Sequence, residues 1–209
     1  MRLSTTSFTD GGVIPARFAF ATAADEGHVT LSDNLNPQLA WADPPHGTRS
    51  FALICHDYDV PSSGEDVNQE DREVPADLSR VDFYHWVVVD LPSHLRSIGE
   101  GEFCAGVTAG GKAGGVGPHG CRQGLNDFTG WFAGDEQMSG EYHGYDGPAP
   151  PWNDSLVHHY VFTVYALDVD RLPVEGAFTA AEVVDAMTGH VLAEAGVSGT
   201  YTQNPRLIA

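Results

Sequence analysis

Phe51-Ala52-Leu53-Ile54-Cys55-His56-Asp57-Tyr58-Asp59-Val60-Pro61 is an apolar run that stops at two carboxylates one residue apart, followed by a proline. Two other stretches behave alike. Phe83-Tyr84-His85-Trp86 leads into the run Val87–Leu91, and His158-His159-Tyr160 comes after the proline-rich Gly147-Pro148-Ala149-Pro150-Pro151. Each places an ionisable residue at the end of a strand-like run. Such groups cost free energy in a half-buried strand unless they are paired or used. Three strand ends of this kind imply one shared polar pocket. Residues i and i+2 of a strand share a face. That puts Cys55 with Asp57, His85 with Val87 and Val89, and His158 with Tyr160 and Phe162. If the first strand runs antiparallel to the other two, the three polar ends meet at one edge of a sheet. That pairing is assumed, since nothing in the sequence dictates it.

Composition narrows the function. The chain has 209 residues, 10 basic against 29 acidic, and a net charge of −19. This suits one domain, 1–209, with a sizeable core. Nucleic acid is an unsuitable partner, because its affinity depends on Lys and Arg neutralising phosphates. Broad docking on anionic lipid is disfavoured for the same reason. No stretch approaches the roughly 20 apolar residues of a membrane span. Met1–Ser7 lacks the apolar core of a signal peptide, so a cytoplasmic location is expected. Cys55, Cys104 and Cys121 have no metal-type spacing. Their odd number fits reduced thiols, with a Cys104–Cys121 bridge as the alternative.

Strands are expected at Arg17–Ala21, Phe51–Asp57, His85–Leu91 and His159–Leu167, with weaker candidates near Gln38–Trp41 and Tyr201. Thr179-Ala180-Ala181-Glu182 is a capping box that opens a helical run over Val183–Ala195, with Gly196 as its stop. The fold class is therefore mainly β, with a C-terminal helix. Residues 62–82 form an acidic insertion, read as a solvated loop beside the pocket, with lid behaviour as the sharper alternative. Residues 106–124 are glycine-dense and contain Lys112, the one lysine of the chain. No phosphate-loop pattern is present, so a flexible surface loop is the reading.

These motifs resemble the phosphatidylethanolamine-binding protein family, also called Raf-kinase-inhibitor-like proteins, in its bacterial branch. The signature there is Asp-x-Asp-x-Pro, a His-Trp strand, and Gly-x-x-Pro-Pro before a His-x-Tyr strand. Here it reads Asp57 to Pro61, His85-Trp86, Gly147 to Pro151 and His158 to Tyr160. Phe8–Pro15 and Asn36–Trp41 are similar to the family's N-terminal pattern. Ala149 stands where cysteine is frequent. His159 stands where arginine is usual, which removes a fixed cation beside the pocket. The resemblance implies a large central antiparallel sheet packed on a smaller one. It also implies a ligand site made from Asp57, Asp59, His85, Gly147, Pro148, Pro150, His158 and Tyr160.

The chemistry of those groups suits a small phosphate-like or headgroup-like ligand. His85 and His158 can donate to an anion, more strongly when protonated, and Tyr160 adds a hydroxyl. Asp57 and Asp59 can hold an imidazole N–H and raise its pKa. Binding of phosphate-like anions is then expected to strengthen as pH falls through the histidine range. The prolines form a rigid wall, and the pocket is expected to be small and polar. The leading reading is a non-catalytic binding module with no cofactor and no metal. A regulated protein partner (kinase inhibition is what the resemblance implies) and a second copy in a homodimer complete the partner expectations. A hydrolase using Asp57, His85 and His158 is the second reading. It lacks a nucleophile elbow, and Cys55 sits in an apolar strand that disfavours a thiolate. The third is a metal site of Asp57, Asp59, His85 and His158.

Overall fold

The computed structural model describes residues 1–208. In chain order the strands are β1 (Arg2–Ser4), β2 (Ala21–Ala23), β3 (Val29–Leu31), β4 (Leu39–Ala42), β5 (Ser50–Pro61), β6 (Arg80–Pro92), β7 (Ser97–Ile98), β8 (Gly111–Lys112), β9 (Arg122–Gln123), β10 (Glu141–Tyr142), β11 (His158–Leu167) and β12 (Val191–Tyr201). The helices are α1 (Phe128–Trp131) and α2 (Ala180–Met187). Five strands make the main sheet in the order β12-β11-β5-β6-β9, and β1-β4-β7 make a smaller one. All neighbours in both are antiparallel. The antiparallel pairing of β5 with β6 and β11 is the one that the three polar strand ends require.

Both faces of the main sheet are covered over the apolar half of β5, which is why Phe51–Cys55 reads as a continuous apolar run rather than an alternating one. On one face Phe51, Leu53, Trp86, Val88 and Phe162 pack with Leu39, Trp41 and Ile98 of the smaller sheet. On the other, Ile54, Val87 and Val89 pack with Phe178, Val183 and Met187 around α2. Trp41 and Trp86 are core aromatics, 2% and 0% exposed. Cys55, Cys104 and Cys121 are free thiols.

Two elements depart from the sequence expectation. Arg17–Ala21 is not a strand. Pro15, with its fixed φ, leads into a 3-10 turn over Ala16–Phe18, and the strand starts only at Ala21. The helix is capped as expected, with Thr179 and Glu182 bonded reciprocally, but it ends at Met187. Gly189 lies at φ +81, a left-handed turn that glycine takes without Cβ strain. The residues after it pair along β11 as strand β12. The helix therefore precedes the last strand of the sheet instead of running to Ala195.

The glycine-dense segment is built into the structure. Gly111 and Lys112 form β8, paired with β10. Lys112 Nζ lies 2.8 Å from Asp146 Oδ1. No helix among the described residues is long and apolar enough to cross a membrane.

Candidate ligand-binding site

β5 and β6 do not stop where the sequence expectation ended them, and the site arises from irregularity inside them. β5 continues to Pro61 and β6 begins at Arg80. Cys55 pairs with Trp86 and His56 with Tyr84, which leaves His85 as an extra, bulged residue. A bulge re-aims a side chain. Tyr84 stays on the α2 side with Val87 and Val89. His85 turns to the opposite face, where its ring meets Tyr160 at 5.1 Å and Phe128 at 5.5 Å between centroids. The expected sharing of a face between His85, Val87 and Val89 is thus corrected by one inserted residue.

A cavity of about 320 Å³ opens at this point. Asp57, His85, Pro150, His158 and Tyr160 line it, joined by Ala149, Pro151 and Gln203. Asp59, Gly147 and Pro148, expected in the same site, do not. Asp59 accepts from the backbone N and Nδ1 of His159, both at 2.8 Å, and its own N donates to Asp57 Oδ1. Gly147 is a close-approach position: a Cβ there would lie 2.0 Å from the Phe18 carbonyl oxygen. Its N donates to Asn34 Oδ1, and the Pro148 carbonyl accepts from Phe20 N. These three residues shape the wall from behind. His159, at the position where the resemblance expects arginine, stacks on Tyr58 outside the cavity.

His158 is fully spoken for. Its Nδ1 lies 2.7 Å from Asp57 Oδ2 and its Nε2 3.0 Å from Asp154 Oδ2. Carboxylate oxygens accept, so the imidazole donates on both sides. Arg80 closes the chain on Asp154 with contacts of 2.6 and 3.1 Å. Burial opposes charge on His158, but its hydrogen bonds to Asp154 and Asp57 outweigh it and raise the pKa to about 9. The expectation that His158 donates to a ligand is corrected: both of its N–H groups are used within the protein.

His85 is the opposite case. Its Nδ1 lies 2.8 Å from the Asp146 carbonyl oxygen, so Nδ1 carries the proton. Nε2 makes no hydrogen bond among the described residues and is left as an acceptor toward the cavity. Burial lowers the His85 pKa from 6.5, offset in part by Asp57. The ring is thus neutral at pH 7, and the expected rise of imidazole pKa at the pocket belongs to His158 alone. Asp146 is itself a buried carboxylate, fixed by Asn34, Lys112 and Asn126 at 2.7 to 2.8 Å. Through its carbonyl it sets the tautomer of His85.

Two buried polar atoms of the cavity lining make no hydrogen bond of normal geometry, the Tyr160 hydroxyl, which faces the Asp57 carboxylate, and Gln203 Nε2. Burial, then the charge of Asp57, holds the Tyr160 pKa well above 10, so it remains a hydroxyl. An unpaired buried polar group costs about 1–3 kcal/mol. Besides the Asp57 carboxylate, the floor therefore offers one acceptor, His85 Nε2, and two donor groups to an occupant. Among the described residues no group of three or more His, Cys, Asp or Glu is placed to hold a metal ion. Cys55 is 1% exposed, and burial pushes its thiol pKa well up.

Asp146, Asp154, Arg80 and Gln203 were missed in the sequence reading. Asp146 abuts the Gly147 motif and Asp154 stands four residues before His158, but neither follows a strand period. Gln203 lies past the last strand, where no local pattern marks it.

Comparison with known proteins agrees with this geometry over nearly the full chain. The family model described as phosphatidylethanolamine-binding protein matches residues 4–202. YbhB of Escherichia coli (strain K12) is 32% identical over 202 residues, covering 97% of this chain and 100% of YbhB. A Methanothermobacter thermautotrophicus relative is 33% identical, covering 96% and 98%. Among solved structures, E. coli YbcL, described as a new member of the mammalian family, superposes with a TM-score of 0.67 at 25% identity, covering 96% and 97%. A Chlamydia trachomatis homologue gives 0.63 at 27% identity, covering 96% and 95%. With the family model matching residues 4–202 and relatives above 30% identity over nearly their whole length, this chain belongs to the phosphatidylethanolamine-binding protein family.

Proposed function

We propose that this protein is a non-catalytic binding module for a small ligand with a phosphate-like head, and that occupancy of the cavity regulates a protein partner in the cytoplasm. One observation carries the ligand reading. The Tyr160 hydroxyl and Gln203 Nε2 are buried without hydrogen-bond partners, and both residues line the same cavity of about 320 Å³ as His85 with its free Nε2. A singly protonated phosphate, or a phosphodiester with an amine, supplies acceptors for the two donors and a donor for His85. The family's name, phosphatidylethanolamine-binding protein, supports the same head chemistry. The regulatory role rests on the family resemblance. A hydrolase gains no support, because Cys55 is the nearest candidate nucleophile and its thiolate is disfavoured.

Titration calorimetry with glycerophosphoethanolamine tests the reading. Tyr160→Phe is expected to weaken binding by roughly 10- to 100-fold, as for a lost hydrogen bond to a charged group. The same change should leave stability unaltered or raise it by up to about 1 kcal/mol, since it removes an unsatisfied hydroxyl. Loss of affinity without loss of stability separates a ligand contact from a structural one. No heat with wild type, or equal affinity in both proteins, refutes the reading.

A further inference from the structure

Among the described residues, Cys104 alone of the three cysteines has an amine in hydrogen-bond contact. Its Sγ lies 3.3 Å from Nζ of Lys112, the one lysine of the chain. Asn34 Nδ2 donates to the same sulfur at 3.6 Å, and the thiol faces the Gly106 carbonyl oxygen, also at 3.6 Å. No second thiol is among these contacts. The amine is held in place, because Nζ also donates to the Tyr145 carbonyl oxygen and, at 2.8 Å, to Asp146 Oδ1. Neither Cys104 nor Lys112 lines the cavity. Burial pushes the Cys55 thiol well up and the Cys121 thiol up to about 12. It raises the Cys104 thiol too, but there the charge of Lys112 works against it. Cys104 is also the most exposed of the three, at 5% against 1% and 0%, and the Lys112 side chain is 20% exposed. Thiolate character and access decide which cysteine oxidises. Both favour Cys104.

We propose that Cys104 and Lys112 form an oxidative modification site, at which hydrogen peroxide joins the thiol to the amine through an N–S bond. In the first step Sγ supplies an electron pair to peroxide. An S–O bond forms, the O–O bond breaks, and the departing hydroxide takes the thiol proton and leaves as water. The resulting sulfenic acid condenses with a nearby thiol or nitrogen, and Lys112 Nζ is the side-chain nucleophile in contact. Asp146 Oδ1 accepts one ammonium proton and passes it to solvent. The freed lone pair forms the N–S bond as the S–O bond breaks. The departing hydroxide takes the second nitrogen proton as water, and the third hydrogen stays on nitrogen. A reducing thiol reverses the link, giving free Cys104, free Lys112 and the disulfide of the reductant. Linkage takes the cation away from Asp146, whose carbonyl oxygen holds His85 Nδ1. The modification therefore alters the support behind the cavity without occupying it.

The test treats the full chain with excess hydrogen peroxide and reads intact mass, thiol count in denaturant and a tryptic peptide map. Wild type is expected to lose two hydrogen atoms in mass and one of its three thiols. Trypsin should no longer cut after Lys112, and the peptides holding Cys104 and Lys112 should run as one linked species that dithiothreitol separates. Lys112→Arg keeps the charge beside Asp146 but removes the amine. It should form no link and instead accumulate a sulfenic acid that dimedone traps, whereas wild type gives little dimedone adduct. Cys104→Ser should keep its remaining thiols and its cleavage after Lys112. Three intact thiols in treated wild type overturn the proposal. So does oxygen gained on Cys104 with Lys112 still free, or the same loss of two hydrogen atoms in Lys112→Arg. The wild-type peptide map decides the matter even where a variant fails to fold.

Discussion

His85 and His158 flank one cavity from neighbouring strands of β5, yet one is closed and the other open. Both N–H groups of His158 end on carboxylates that are 1% exposed, and Arg80 backs the second of them. His85 uses one nitrogen on a carbonyl and leaves the other toward the cavity. The same side chain thus serves as a fastener in one place and as a ligand-facing acceptor in the other. Partner count separates the two roles, whereas residue type and position in the strand do not.

The largest expected effect follows from that difference. His158→Ala leaves Asp57 and Asp154 buried against each other with the imidazolium gone. Breaking a buried pair in this way costs about 3–5 kcal/mol. His85→Ala loses one hydrogen bond and extends an existing cavity, which should cost about 1–2 kcal/mol. Urea denaturation followed by tryptophan fluorescence measures both. Equal losses would break the comparison, because both histidines would then be structural.

Acid–base behaviour sharpens it. The pKa of His158 is raised in the fold from 6.5 to about 9. The fold therefore keeps a proton that the unfolded chain releases above pH 6.5. Stability from this group is fully present below pH 6.5 and is lost as pH rises toward about 9, amounting to ~3 kcal/mol. His85 has the reverse sign. Its pKa is lowered below 6.5, so its contribution is lost as pH falls through that region. Melting temperature should accordingly peak near pH 6.5 and decline on both sides. In His158→Gln the alkaline decline attributed to this group should vanish, and a wild-type curve flat from pH 6.5 to 9 would contradict the assignment. For a phosphodiester that carries no amine, affinity should strengthen only below pH 6.5, where His85 takes its proton and Nε2 becomes a donor, and not across the higher range that the sequence implied.

Much of this was legible in the sequence, for physical reasons. Apolar runs bounded by turn residues marked β5, β6 and β11, and the capping box marked the start of α2. The ordering of Asp57, His85 and His158 marked the cavity. What was not legible depends on long-range pairing. Nothing around Tyr84-His85-Trp86 announces a bulge, since a bulge is defined by the partner strand. Asp146 and Asp154 acquire their roles only when the chain returns them to His85 and His158. The apolar part of the cavity lining is assembled from segments as distant as Val29 and Met138, each unremarkable alone. The helical reading of Val191–Ala195 failed because edge pairing with β11 outweighed a weak local periodicity broken by Gly189.

The smallest effect concerns a third histidine, at the rim. His28 sits at the tip between β2 and β3, with φ +66. Its ring stacks on Trp152 at 3.8 Å and 6°, and its Nε2 lies 2.7 Å from Glu70 Oε1. It thereby ties the β2–β3 hairpin to the acidic loop and to Trp152, and the hairpin, the loop and the neighbouring Pro151 contribute lining to the cavity. The chemistry is a His–carboxylate contact like that of His158, but the two side chains are 42% and 76% exposed. Water and salt screen such a pair, which leaves it worth about 0.2–1 kcal/mol. His28→Ala should therefore leave global stability nearly unchanged and free the rim locally. Association and dissociation rates of glycerophosphoethanolamine, measured by stopped flow, are expected to rise together by up to about fivefold with the equilibrium constant nearly constant. Rates unchanged by the substitution would mean that the rim does not gate the site. A change in affinity as large as that of Tyr160→Phe would place His28 in contact with ligand instead. Either outcome would redraw the line between the buried pair that holds the floor and the exposed pair that closes the mouth.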